Sequence, residues 1–274
     1  MEDLVNLFAK HFIARPDVVA VQHNDGSYSP GKIGFTREVI ASHLGGNYTY
    51  GHYMLNGNNE CKFFCFDVDL KTDGVYWVEP DLQLAPESFT PLELDDWFAA
   101  NTKGPIAINP RQTWRDRGHE ARNYFKRQFR SVAELLTSNI HTQLGIGTLA
   151  TYSGHKGIHV YGMTGLAPAS EVRAAAEFIL DAVDFKPTKG KNFYGDSSGE
   201  YENLELELFP KQTEVDEGHY GNLLRLELGI NRKAPKDPTF FLDQSLPHNT
   251  FAPHRNPAWL LENCENPWKE YPNV

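Results

Sequence analysis

The chain has 274 residues, 40% hydrophobic and 23% charged, which suits an ordinary globular protein of one large domain or two small ones. Its formal charge of −10 excludes a simple basic nucleic-acid-binding module, and no apolar run approaches the roughly 20 residues of a membrane span. Cys61, Cys65 and Cys264 make neither a disulfide framework nor a C-x-x-C zinc pair, so buried thiols in a reducing, cytoplasmic setting are expected.

The first expected element is an amphipathic helix near 2–14, with Leu4, Leu7, Phe8 and Phe12 on one side. Its early acids mark a surface helix rather than a signal peptide. A strand in DVVAVQH (17–23), a turn-rich NDGSYSPGK and a short helix near 36–43 follow. Next comes KFFCFDVDL (62–70), a buried-strand pattern with Asp67 and Asp69 inside it. Side chains at i and i+2 share a face of a strand, so both carboxylates project together. An unpaired buried charge is costly, and a hard Mg²⁺ or Mn²⁺ ion between two carboxylates removes that cost. The other reading is a pair of strand-end residues capping the turn into KTDG.

An acidic segment with a helix around Pro91–Ala100 leads to a strand in PIAINP (105–110) and a long helix over 115–138. Charge is segregated here. Glu60 to Ala100 holds ten acids against Lys62 and Lys71, whereas Arg111, Arg115, Arg117, Arg122, Lys126, Arg127 and Arg130 outnumber Asp116 and Glu120. Arg115, Arg122 and Lys126 fall near one helix face, with Trp114, Tyr124 and Phe125 interleaved. Such a face can hold a nucleic-acid strand on an acidic protein. It can equally be a solvated helix face, and the strand would then run near Lys186, Lys189 and Lys191.

YSGHKGIHVYG (152–162) offers Ser153, Lys156 and His159 around two glycines, a loop able to grip an anionic group or a plain glycine hairpin. A helix is expected to open at Ser170 as N-cap, carrying Val172, Ala175, Ala176, Ile179 and Val183 at helical spacing. LELELF (204–209) and LLRLELGI (223–230) alternate with period two, so Glu205 and Glu207 share one face, and Arg225 and Glu227 likewise. Frequent proline after Pro235 suggests an extended tail wrapping the body. Strands and helices mix without strict βαβ alternation, which makes the fold class α+β. Carboxylates, a Lys/His loop and an Arg are the parts of a metal-assisted phosphoryl-transfer site.

Taken in order, RPDVVAV (15–21), HLGGNYTYGHY (43–53), FDVDL (66–70), SGHKGIHVYG (153–162), ELFPKQ (207–212) and GNLLRLELG (221–229) resemble the archaeo-eukaryotic primase superfamily. The likeness is to the primase domains of TOTE conflict systems and to CRISPR-associated primase-polymerases. It implies a bipartite catalytic core, an N-terminal α/β unit packed on an RRM-like unit with the active site in the cleft. Residues 1–60 with part of 75–140 would form the first unit, 61–74 and 145–235 the second, and 236–274 the tail.

The resemblance further implies that Asp67, Asp69 and Glu207 hold two Mg²⁺ or Mn²⁺ ions, with Glu205 as the reserve third acid. Ser153, Lys156, His159 and Arg225 would contact the triphosphate of an incoming NTP or dNTP, with Asn222 and Lys233 in the same pocket. The implied partners are a single-stranded DNA template, a primer and a separate helicase, because neither a helicase segment nor a zinc element is visible. The implied activity is template-directed synthesis and extension of primers for a mobile element, phage or defence system. An end-joining repair polymerase shares the motifs, and a non-catalytic nucleotide or nucleic-acid sensor is the reading from another class. A D-x-D glycosyltransferase would leave Lys156, His159 and Arg225 unexplained together.

Overall fold

A computed structural model gives the structure of residues 2–72, 76–78, 90, 92–93, 96–97, 100, 106–115, 122–247 and 250–264, with backbone alone at 76–78, 106–107, 113 and 115. Helix α1 (Glu2–Phe12) buries Val5, Phe8, His11 and Phe12. Strands β1 (Ala20–Gln22) and β2 (Tyr28–Pro30), helix α2 (Arg37–Leu44) and strand β3 (Tyr50–Tyr53) follow. Thr36 caps α2 by accepting the Val39 amide, as its hydroxyl chemistry favours. Strand β4 is long (Glu60–Leu70), and the short pair β5 (Tyr76–Val78) and β6 (Ile106–Ile108) comes after it. The remaining elements are α3 (Pro110–Arg115), α4 (Arg122–Leu144), β7 (Gly147–Tyr152), β8 (Gly157–Pro168), α5 (Ala169–Ala182), β9 (Phe185–Pro187), β10 (Phe193–Asp196), β11 (Leu204–Phe209), β12 (Leu223–Arg225), β13 (Phe240–Phe241) and α6 (Pro257–Asn263).

The expected α+β class holds, with antiparallel pairing throughout the sheets. Among the described residues the larger sheet runs β13-β7-β8-β4-β11-β10-β9 and the smaller one β12-β3-β1-β2. Helices α4 and α5 touch each other and lie on the same face of the larger sheet. Phe64, Phe66, Val68 and Leu70 of β4 alternate onto that helix-covered face and are fully buried. Each is worth about 1.5–3 kcal/mol of burial, so β4 is pinned in register by its own period-two pattern. On the opposite face Phe63 stacks edge-on against Phe12 of α1 and against Tyr161. That cover ends before Asp67 and Asp69, which sit where the strand's second face opens. The three cysteines are free and buried, as expected. None of the described helices is long and apolar enough to cross a membrane.

Several expectations are corrected. Of the helix expected over 115–138, Arg122–Leu144 is helical and runs past the expected end, Arg115 closes the described part of α3, and 116–121 lie outside the described residues. Ser170 is not an N-cap: β8 runs through Pro168 straight into α5, whose first amide, on Ala169, is satisfied by the Asn59 carbonyl instead. LLRLELGI is a strand only at Leu223–Arg225, because Leu228 takes φ 62° and breaks the alternation. The tail is not merely extended: β13 pairs with β7 and α6 packs on α1. β12 pairs with β3 of the smaller sheet, and α4 packs on β7 and β8. Of the helix expected around Pro91–Ala100, residues 92–93, 96–97 and 100 are helical and the others lie outside the described residues.

Candidate active site

The site is built from cross-strand neighbours. Glu207 of β11 and His159 of β8 both pair with Asp67, and Glu205 and Gly157 both pair with Asp69. Directly opposed residues point to the same face, so Glu207, Asp67 and His159 form one row and Glu205 and Asp69 the next. Glycine at 157 is what admits the second row: a Cβ there would strike the Asp69 carboxylate and the Val68 carbonyl. The sequence-predicted carboxylates Asp67, Asp69, Glu205 and Glu207 are thus brought together on one open patch.

Each of these carboxylates already has a cation. Lys156 Nζ lies 2.8 Å from Asp69 Oδ2, Lys211 Nζ 2.6 Å from Glu207 Oε1, Lys189 Nζ 3.3 Å from Glu205 Oε1, and His159 Nε2 3.4 Å from Asp67 Oδ1. Lys211 also stacks over the Phe209 ring. The compensation at Asp67 is incomplete. Burial raises its pKa to about 6, the His159 charge opposes that rise, and the charges of Asp69 and Glu207 add to it.

Two hollows meet at Asp67 and Asp69. One is lined by Lys71, Thr72, Lys156, Lys189, Phe193, Glu205 and Glu207. The other has residues of both sheets in its wall: Gln22, Tyr28, Leu224 and Arg225 from the smaller, His159 and Phe209 from the larger, with Ser153 and His155 of the β7–β8 loop and Asn231 and Lys233 beside them. Arg225 reaches across and donates to the Ser153 carbonyl at 2.7 Å, which the Asn231 amide also meets at 3.2 Å. Lys233 lies against the Gly26 turn. Asn222 is placed apart from these, its amide donating to Gln212 Oε1 at 2.9 Å.

His159 is held from behind by Glu227, which the sequence reading noted only as sharing a face with Arg225. Glu227 is fully buried, and its Oε1 meets both His159 Nδ1 and, at 2.5 Å, the Tyr161 hydroxyl. Burial works against a charged imidazole, but the carboxylates of Glu227 and Asp67 outweigh it and raise the His159 pKa. Burial likewise works against the Glu227 anion, and the charge and hydrogen bond of His159 reverse it, lowering the Glu227 pKa. The two shifts agree on an imidazolium–carboxylate pair. A signal for Glu227 existed in the sequence, a lone acid within an apolar run, the same oddity that marks Asp67.

The basic helix face expected for a nucleic-acid strand is reduced. Arg127 and Arg130 are buried, and Arg130 donates to the carbonyls of Gln244 and Leu246 and pairs with Glu134. Trp114 and Phe125 are buried, with the Trp114 indole donating to the His155 carbonyl at 2.8 Å, so neither is offered for stacking on bases. Arg122 lies over the Trp114 ring, 4.7 Å from its centroid. Lys126 is half-exposed, and the Arg115 side chain lies outside the described residues.

Among the described residues no three His, Cys, Asp or Glu side chains stand in a ready-made metal-ligand group. The donor chemistry nevertheless fits a hard divalent ion. Asp67, Asp69 and Glu207 offer only carboxylate oxygen from adjacent strands, and burial, with the charges of Asp69 and Glu207 adding to it, makes the ionised Asp67 costly, a cost that such an ion would relieve. Lys156 and Lys211 now pair with the Asp69 and Glu207 oxygens that such an ion would take.

Residues 3–96 match the family model described as TOTE conflict system, Archaeo-Eukaryotic Primase domain. The match supports the resemblance to the archaeo-eukaryotic primase superfamily on its TOTE side, and points to a primase-like nucleotidyltransferase of a conflict system. It takes in α1, from its second residue, through β5, and with them Asp67 and Asp69, and stops short of the loop at Ser153 and of Glu207. Among curated proteins none matches the chain.

Proposed function

We propose that this chain is a template-directed primase-polymerase, joining nucleotides by attack of a 3′-hydroxyl on the α-phosphate of an incoming nucleoside triphosphate. The observation that carries the reading is the single row Glu207–Asp67–His159, which sets carboxylates on one side and an imidazole on the other. Next to it lies a hollow lined by Ser153, His159, Arg225 and Lys233. The RRM-like description is supported by chain order, β4-α4-β7-β8-α5-β11, with sheet neighbours β7-β8-β4-β11 and both helices on one face.

Asp67, Asp69 and Glu207 would hold Mg²⁺ or Mn²⁺. When bound, such ions lower the pKa of an attacking hydroxyl and stabilise the leaving pyrophosphate. The chain's own residues supply the rest. His159 and Arg225 donate to phosphate oxygens, the Arg225 guanidinium with a planar fork suited to them. Lys156 and Lys211 exchange their carboxylate partners for substrate phosphates as the nucleotide enters. The fixed donors lining the hollow hold the triphosphate in line, which is where most catalysis of phosphoryl transfer lies.

The deciding assay uses circular single-stranded DNA, labelled nucleotides, Mn²⁺ or Mg²⁺ and no primer. New labelled oligomers are expected, and they must vanish in Asp67→Ala/Asp69→Ala. Extension of a supplied primer without de novo products would instead point to an end-joining-type polymerase. A second reading, a nucleotide-binding sensor, is favoured by one observation: every site carboxylate is already paired with a cation of the chain itself. Nucleotide binding without any synthesis would favour it over the polymerase.

A further inference from the structure

The most conspicuous buried ionisable group outside the proposed machinery is Glu227. Its exposure is 0%, and a carboxylate in such a place costs several kcal/mol unless it is paired and hydrogen-bonded. Oε1 meets His159 Nδ1 and the Tyr161 hydroxyl, while Oε2 is buried with no partner among the described residues. Packing alone gives no reason for an acid here, since a leucine would fill the space without an orphaned oxygen. The backbone around it is also specially arranged. The Glu227 carbonyl meets His43 Nε2 at 2.9 Å, Leu228 follows at φ 62°, and Gly229 leaves no room for a Cβ beside the His43 ring. A non-glycine residue at positive φ is strained and persists where its surroundings hold it.

We propose that Glu227 is a positioning residue for His159: by occupying Nδ1 it fixes the ring so that Nε2 is the atom presented beside Asp67 to the phosphates of the incoming nucleotide. The inference rests on the proposed function for the identity of the ligand, but not for the geometry. A histidine's two nitrogens are distinguished by the hydrogen bond that one of them makes. With Nδ1–H given to Glu227, the ring cannot flip to present the other edge without taking from the buried carboxylate its charged partner and leaving it the Tyr161 hydroxyl alone. Tyr161, two residues along the same strand face, donates to the same oxygen and keeps the carboxylate from rotating away. Glu227 follows a strand of the smaller sheet and His159 lies in the larger, so this bond, like that from Arg225 to Ser153, ties the two sheets at the hollow.

The test is a double-mutant cycle on the full chain with Glu227→Gln and His159→Ala, reading the dissociation constant of a non-hydrolysable NTP in Mn²⁺. Partners that orient a ligating histidine typically change affinity 10- to 100-fold, so Glu227→Gln is expected to weaken binding by about 10-fold or more. In the His159→Ala background the same change should add nothing, because contacts acting through one another are non-additive. Affinity equal to the parent's in Glu227→Gln, or fully additive losses in the double variant, overturns the proposal. The second readout is the imidazole ¹⁵N spectrum, with His159 identified by its loss in His159→Ala. A proton on Nδ1 in the parent, lost or exchange-broadened in Glu227→Gln, is expected. A parent ring without that proton, or an unchanged ring in the variant, overturns the proposal even if the parent binds no nucleotide, an outcome that by itself would sink only the polymerase reading. The parent spectrum also decides the matter should Glu227→Gln fail to fold.

Discussion

Asp67→Asn should make the protein more stable while ending its chemistry, and the gain should depend on pH in a defined direction. The Asp67 carboxyl has its pKa raised from 3.8 to about 6, chiefly by burial, with Asp69 and Glu207 adding and His159 opposing. The folded protein therefore binds this proton more tightly than the unfolded chain does. That contribution to stability is present in full below pH 3.8 and is lost as pH rises through about 6. A rise of roughly 2 units at about 1.36 kcal/mol each puts the cost of the ionised form near 3 kcal/mol above pH 7. The side chain retains 26% exposure, so solvent screening brings the expected gain to about 1–3 kcal/mol. For a chain of this size that is roughly 2–10 °C in Tm. Thermal melts of parent and variant at pH 8 and pH 4, without metal, measure it. The variant should lead at pH 8 and its advantage should shrink to well under about 1 kcal/mol at pH 4, where the parent's carboxyl is largely protonated. Added Mn²⁺ should stabilise the parent more than the variant. A variant less stable than the parent at pH 8, or an advantage equal at both pH values, would refute the charge-crowding argument.

Gly157→Ala places a Cβ against Asp69 and the Val68 carbonyl, so overpacking of about 1–3 kcal/mol is expected, together with loss of Mn²⁺ affinity by calorimetry. Unchanged stability and metal binding would mean that the space beside Asp69 does not matter. For the template, Lys189, which lines the acidic hollow, and the exposed Lys186 and Lys191 should matter more than Arg122 and Lys126, since Arg127 and Arg130 of the same helix are buried. Replacing the three lysines by Ala should lower the salt slope of single-stranded DNA binding by about 2, at about 0.7 per contact. A larger loss from Arg122→Ala/Lys126→Ala would return the strand to α4.

The strand of the aspartates was legible because its signal is local. Period two fixes which residues share a face, and the apolar partners Phe64, Phe66, Val68 and Leu70 say which face is covered. Glu207 was legible for the same reason, although its pairing with Asp67 depends on a register between distant strands that no local pattern carries. What escaped was decided by tertiary context. The alternation in LLRLELGI reads as one strand, and nothing local announces that the strand stops at Arg225 and that Glu227 meets His159 of the other sheet. The arginines of α4 follow a clean amphipathic rhythm, yet Arg130 is drawn inward by carbonyls of Gln244 and Leu246 in a tail whose course the proline content did not reveal. Ser170 was favoured as a cap on chemistry alone, and a backbone carbonyl from Asn59 had already met the need.

The pairing of each site carboxylate with its own cation also accounts for how an acidic protein can receive a polyanion. With a net charge of −10, free carboxylates at the mouth of the site would repel phosphate. Paired with Lys156, Lys189, Lys211 and His159, they present instead a patch that is nearly neutral at close range. A divalent ion arriving with a nucleotide brings positive charge to the carboxylates and negative charge to the cations at the same moment. The four ion pairs can then be exchanged for metal–carboxylate and cation–phosphate contacts without leaving a bare charge at an intermediate stage, which is where the cost of desolvation would otherwise fall. The Lys189 side chain, 78% exposed on its partner Glu205, is the easiest of the four to release. His159, clamped from behind by Glu227, is the one that would not need to move, since it already lines the hollow in which the proposed nucleotide would sit.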